Sequence, residues 1–216
     1  MLALRGRIGR VVVPRSSRGN MSDPSIGLYL SHLGLPVVEV DDFSEVEFPG
    51  GKVTATPFLG EHCDLDIRAK STYCVRLGGR TIFVGADSSG IDPGLYRYMR
   101  RRAGQVDMAF LGMECAGAGL NWLYQGLFTM PITKKMSDSR TLSGSNAEQA
   151  AGIMTELGAS EAYVYAMGEE PWLGSVMATT YNEDSYQLKQ VEEFMTWCAG
   201  NGVKSDHLFG QHEWRW

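Results

Sequence analysis

The run from Ser71 to Asp87, STYCVRLGGRTIFVGAD, constrains this chain more than any other stretch. Two short sets of β-formers flank Gly78-Gly79, the residue chemistry of a tight hairpin turn. The second set, TIFVGA, is apolar at odd and even positions alike, as a strand covered on both faces must be. A hairpin with such a strand excludes a helical bundle and points to a layered sheet protein. Asp87 stands where the strand ends, so a carboxylate is delivered at the margin of a rigid element.

The neighbouring segments extend that reading. PVVEV (36–40) and KVTATPFL, bounded by Gly50-Gly51 and Gly60, read as strands. RVVVP is a short β-branched run with nothing before it to pair with. SDPSIGLYLSHLG reads as a helix, with Ser22 or Asp23 to cap it, Pro24 early and Gly34 to stop it. After Asp87, Asp92-Pro93 opens a helix through YRYMRRRAG, and VDMAFLGM reads as another buried strand. Ser145 with Glu148 has capping-box spacing at the start of NAEQAAGIMTELG. AYVYAM is a strand, and YQLKQVEEFMTWCAG is a final amphipathic helix. Strands come first and strand–helix alternation follows, which is the order of an α/β layered fold. No repeat or linker divides the chain, so residues 1–216 read as one unit. Glu114 to Gly144 is long for a plain connection and mixes Gly, aromatic and polar residues, which favours a lid or substrate loop.

Composition closes off several function classes. The formal charge of -5 leaves no basic footprint for nucleic acid, and the arginines at Arg5–Arg18 and Arg97–Arg102 read as solvated faces. No apolar run approaches the ~20 residues of a membrane span, and no apolar stretch of signal-peptide length follows the positively charged start. The four cysteines, Cys63, Cys74, Cys115 and Cys198, form no C-x-x-C pair, which argues against a zinc ribbon and for a reducing cytoplasm.

The densest group of potential ligands is GEHCDLD, at the end of the KVTATPFL strand. Glu61 and His62 close that strand, and the following hairpin returns the chain to Asp87, 26 residues after Glu61. A carboxylate has two oxygens and can bridge two ions, which a single imidazole nitrogen cannot do. The bland alternatives are a solvated Glu-His pair and an Asp that caps the turn before Ser88-Ser89-Gly90. Glu114 follows a buried strand and reads as a carboxylate that contacts substrate or supports the site, or as a solvated loop acid. Trp122 and Tyr124 suit a channel lining or a packing role. His207 and His212 read as surface residues, and His32 as a cation suited to a helix end. The 11 methionines read as core filling.

PFLGEHCDLDIRAKSTYCVRLGGRTIFVGADSSG resembles the third and fourth ligand motifs of the metallo-β-lactamase superfamily, where a strand delivers a ligand and a later strand ends in a bridging Asp. Within the superfamily the chain is most similar to the di-iron β-hydroxylases of nonribosomal peptide biosynthesis, the chloramphenicol type. There a Glu takes the place of the third-motif His at this same distance from the Asp. LGMECAGAGLNWLYQGL also resembles their active-site loop. The resemblance implies the second half of an αββα sandwich, two irons, and an aminoacyl carrier protein as partner. It implies that Glu61 binds one iron and Asp87 both, with His62 as the alternative ligand. Adjacent residues of an extended chain face opposite ways, so one of Glu61 and His62 is expected at the metals.

The sequence also departs from that pattern. It holds no H-x-H-x-D-H motif, whose expected place is upstream of residue 1, and Ala166-Met167-Gly168 stands where the last histidine is expected. With so few ligands the chain is expected to be the C-terminal portion of such a domain and inactive alone: a fragment, a truncated gene product, or half of a split protein whose missing N-terminal half brings the histidines. Self-association through an exposed sheet is the expected consequence of an incomplete sandwich. Two other functions fit the same residues: a zinc hydrolase of esters, thioesters or phosphodiesters using His62, and a metal-free interaction module.

Overall fold

The computed structural model describes residues 2–16, 23–61, 69–120, 130–175 and 181–214. The chain opens with a β–α–β unit. β1 (Val11–Pro14) pairs in parallel with β2 (Val37–Val40), and α1 (Ser25–His32) connects them. Val13, Leu30 and Leu35 form its own small core. The partner of the β-branched RVVVP run is therefore a later strand, reached through a helix as parallel pairing requires. Against expectation, Pro24 is the N-cap of α1 and no side-chain cap bond forms, although Asp23 accepts from the Ser25 amide at 3.3 Å; Gly34, with φ +70°, ends the helix.

An antiparallel meander follows: β3 (Glu45–Phe48), β4 (Gly51–Pro57), β5 (Ser71–Leu77) and β6 (Arg80–Val84). Gly78 and Gly79 both adopt positive φ in the β5–β6 turn, as the hairpin reading expects. From β6 onward the sheet changes character. α2 (Pro93–Ala103) carries the chain to β7 (Met108–Leu111), parallel to β6, and β10 (Glu161–Val164) lies parallel to β7. α5 (Tyr186–Gly200) then leads to β11 (Lys204–His207) at the edge, giving the order β11-β10-β7-β6-β5-β4-β3.

Between β7 and β10 lie β8 (Ala116–Gly119), α3 (Lys134–Asp138), β9 (Thr141–Ser143) and α4 (Ala147–Leu157), with β8 and β9 paired antiparallel. The described part of the 114–144 stretch therefore contains regular elements. Trp122 and Tyr124 lie outside the described residues.

One face of the large sheet carries the main core. Cys74, Phe83, Ala109, Leu111, Ala162 and Val164 point to it from alternate strand positions. They meet Tyr96 and Met99 of α2, Ile153, Met154 and Leu157 of α4, and Phe194 of α5. Full burial of such side chains stabilises each by roughly 1.5–3 kcal/mol before ordering costs. Burial also pushes the Cys74 thiol up to about 12 and that of Cys198 up to about 11, so both are inert packing groups. On the other face, Tyr73, Val84, Phe110 and Tyr163 stand in one register row. The Tyr73 hydroxyl donates to the Val12 carbonyl at 3.4 Å, so the small sheet meets the large one there. Phe110 and Tyr163 stack with ring centroids 5.2 Å apart, and Trp214 lies against both.

One local expectation is corrected. The capping box of α4 is built by Asn146 and Gln149, not by Ser145 and Glu148. Asn146 accepts from the Gln149 amide, and the Gln149 side chain accepts from the Asn146 amide. The Ser145 hydroxyl is directed elsewhere, to the loop after Asp87.

Candidate metal centre

The C-terminal ends of three adjacent parallel strands meet at one place, as is usual for sites on open α/β sheets. Asp87 lies three residues past β6, Glu114 three past β7, and Tyr165 directly after β10. Asp87 and Glu114 are 5% and 6% exposed, and both line a pocket of about 670 Å³. α1 contributes Ile26 and Tyr29 to the lining, and Phe58 and Lys70 close another side, with the Lys70 ammonium 5.6 Å from the Phe58 ring centre.

The backbone here is shaped for the site. Ala86 and Ala166 adopt φ of +45° and +54°, conformations that side-chain-bearing residues hold only where the surroundings over-determine them. The Gly112 amide donates to the Ala86 carbonyl at 2.7 Å, and a Cβ at Gly112 would lie 2.7 Å from Asp87 Oδ1. Glycine at 112 is thus what lets the β7 end pass beside the carboxylate. Burial raises the Tyr165 phenol; hydrogen bonding to the Ala86 backbone opposes this, and the Asp87 charge adds to it. Burial also raises the Tyr181 phenol strongly, and the charge of Glu114 adds to that rise.

The structure brings together Asp87 and Glu114, and adds Cys115. One ligand atom from each lies within 4.8 Å of the others, and all three residues are buried. Sequence reasoning missed Cys115 and Tyr165. Their signal was present, since both sit just beyond buried strands whose ends were already read as site-forming. The Glu61 backbone runs beside that of Asp87, through the Gly60–Ser88 bridge and a 2.6 Å bond from the Ser89 amide to the Leu59 carbonyl. Its carboxylate accepts from the Ser143 amide at 2.7 Å and pairs with Arg140. His62 lies outside the described residues. His207 Nε2 is 2.8 Å from Glu169 and His212 Nδ1 is 3.8 Å from Asp206, and no histidine lines the pocket among the described residues.

Two carboxylates and a thiol fit one side of a metal centre. Asp87 has the second oxygen that a bridge between two ions needs, and its burial with Glu114 suits tight coordination. The donors do not supply the four to six ligands that each zinc or iron ion takes. The described residues therefore fit part of a dinuclear site and not its whole.

Comparison with known proteins gives the class and then the lineage. The mixed sheet with helices packed on it matches the metallo-β-lactamase fold, of which the chain forms a partial domain. A metallo hydrolase from Ignicoccus hospitalis superposes on 96% of the chain with a TM-score of 0.51 at 12% identity, which bears on the fold alone. Within that fold the chain is similar to a di-iron β-hydroxylase. Over 184 residues, 85% of the chain, it is 45% identical to the 4-amino-L-phenylalanyl-[CmlP-peptidyl-carrier-protein] 3-hydroxylase of Streptomyces venezuelae. The crystal structure of CmlA, a di-iron β-hydroxylase from that organism, matches 95% of the chain with a TM-score of 0.81 and 40% identity. The chain spans 35% of the length of the curated relative and 40% of the crystallised one. No protein-family model matches the sequence. No helix among the described residues is long and apolar enough to cross a membrane.

Proposed function

We propose that this chain supplies the Asp87 side of the active site of a di-iron hydroxylase, one that hydroxylates the β-carbon of an aminoacyl group held on a carrier protein. The observation that carries this reading is the buried Asp87–Glu114 pair at the ends of adjacent parallel strands, facing a pocket, in a chain 45% identical to such a hydroxylase. In this reading Asp87 would help hold both irons and Glu61 one of them, with His62 as the alternative. The irons, when bound, supply the activation of dioxygen.

The chain's own residues prepare the place. Glu114 contacts the substrate or orders the donors around Asp87. Ile26, Tyr29 and Phe58 give the pocket an apolar wall that excludes water from an acyl group. The 114–144 stretch serves as the substrate loop. An aminoacyl carrier protein would present its substrate at the pocket mouth.

Metal analysis tests the reading. The chain alone is expected to retain no stoichiometric pair of ions after dialysis, whereas the chain within a complete enzyme holds two irons. Asp87→Ala in the complete enzyme is expected to abolish iron retention, measured by elemental analysis and the visible spectrum. Unchanged occupancy overturns the bridging role, and two zincs in place of iron would favour the hydrolase chemistry.

A further inference from the structure

Glu61 and the loop after Asp87 are tied together by one short segment, Arg140–Ser145, which runs through β9 to the start of α4. On one side it holds Glu61. The Glu61 amide donates to the Ser143 carbonyl at 3.0 Å, the Ser143 amide donates back to Glu61 Oε2 at 2.7 Å, and Arg140 pairs with the same carboxylate. On the other side it holds residues 88–90. The Ser145 hydroxyl donates to the Ser88 carbonyl at 2.5 Å and accepts from the Gly90 amide at 3.0 Å, while the Ser143 hydroxyl donates to Ser89 Oγ at 3.3 Å.

Two features make this segment stiff. Ser145 is fully buried, so its two bonds have no competition from water. A Cβ at Gly144 would lie 2.8 Å from the Ala116 nitrogen, so the segment is pressed against β8 and has no slack. Ser145 is also spared from helix duty, because Asn146 caps α4.

We infer that Arg140–Ser145 is a bracket that sets the separation of the two acidic strand ends, with Ser143 and Ser145 as positioning residues. The value of that separation to a metal pair rests on the proposed function, whereas the coupling itself exists in the metal-free chain. Loosening either grip of the bracket should loosen the other, since one inextensible segment carries both.

Amide exchange of the full metal-free chain, followed residue by residue by NMR, tests this. Ser145→Ala leaves the Gly90 amide and the Ser88 carbonyl unpaired, and Gly90 exchange is expected to accelerate about tenfold or more. The Ser143 amide is expected to accelerate with it, while the amides capped by Asn146 keep their rates. Ser145→Thr keeps the hydroxyl and is expected to return Gly90 to within about threefold of the parent. Glu61→Ala removes only the side chain that grips Ser143 and Arg140, yet it too is expected to speed Gly90 exchange. That variant changes a part-exposed group and carries the test if Ser145→Ala does not fold. Parental Gly90 exchange in either alanine variant overturns the bracket. So does acceleration spread equally over β7 and β10, which would make Ser145 ordinary fold support. Failure of the metal reading would leave these rates unchanged, so the two ideas fail separately.

Discussion

Asp87 and Glu61 lie on adjacent backbones and are held in opposite ways. Asp87 is 5% exposed, follows a residue in the left-handed region, and faces a glycine that leaves room for its carboxylate alone. Glu61 has a side chain 29% exposed and is fixed by an ion pair to a long arginine and one amide. The Asp87 carboxylate is therefore placed by the path of the backbone, and the Glu61 carboxylate by side-chain contacts that a rotamer change can exchange. Under the proposed function, the first arrangement would suit a carboxylate shared by two ions, and the second a carboxylate that binds a single ion.

Three substitutions would break or sharpen that contrast. The largest effect is expected at Gly60, whose φ is +148° and where a Cβ would lie 2.4 Å from the Asp87 carbonyl oxygen. Gly60→Ala should cost about 3 kcal/mol in denaturant unfolding, because the new atom meets fixed backbone. A loss below about 1 kcal/mol would mean the two strand ends rearrange freely, against the rigidity argued for Asp87. Gly112→Ala comes next, at about 2 kcal/mol, because the methyl must displace the Asp87 carboxylate or the β7 end. A crystal structure of that variant with Asp87 unmoved would show that Gly112 does not shape the site. The smallest effect is expected for Glu61→Gln, which keeps an acceptor for the Ser143 amide and loses only a part-exposed ion pair. Its stability should stay within about 0.5 kcal/mol of the parent. A loss above about 1.5 kcal/mol would place Glu61 on the same footing as Asp87.

The fold was legible where local chemistry and tertiary structure agree. Gly78-Gly79 announced the β5–β6 hairpin and Asp92-Pro93 the start of α2, while TIFVGA announced a strand that is fully covered at Phe83 but only half-buried at Ile82 and Val84 on its other face. The pairing of β1 with β2 was not legible, because a parallel partner across a helix leaves no local mark. Ser145 was misread because its spacing to Glu148 satisfies a capping pattern, and only tertiary structure shows that its hydroxyl serves Ser88 and Gly90. At the site, Asp87 and Glu114 were readable from their places after buried strands. Cys115 and Tyr165 carry the same positional signal, just beyond buried strands, but it alone did not single them out from core residues.

The change from antiparallel to parallel pairing at β6–β7 has a consequence for the order of assembly. β3–β4 and β5–β6 are joined by two-residue turns and β4 to β5 by 13 residues, so these antiparallel pairs close early and bring Asp87 to the tip of a formed ribbon. The pocket needs β7 and β10 as well, and Tyr165 is 78 residues beyond Asp87. Pairings that close long stretches of chain form slowly, since loop entropy is lost before contacts compensate for it. The acid that the site is built around is thus in place early, and the cleft around it closes among the last events of folding.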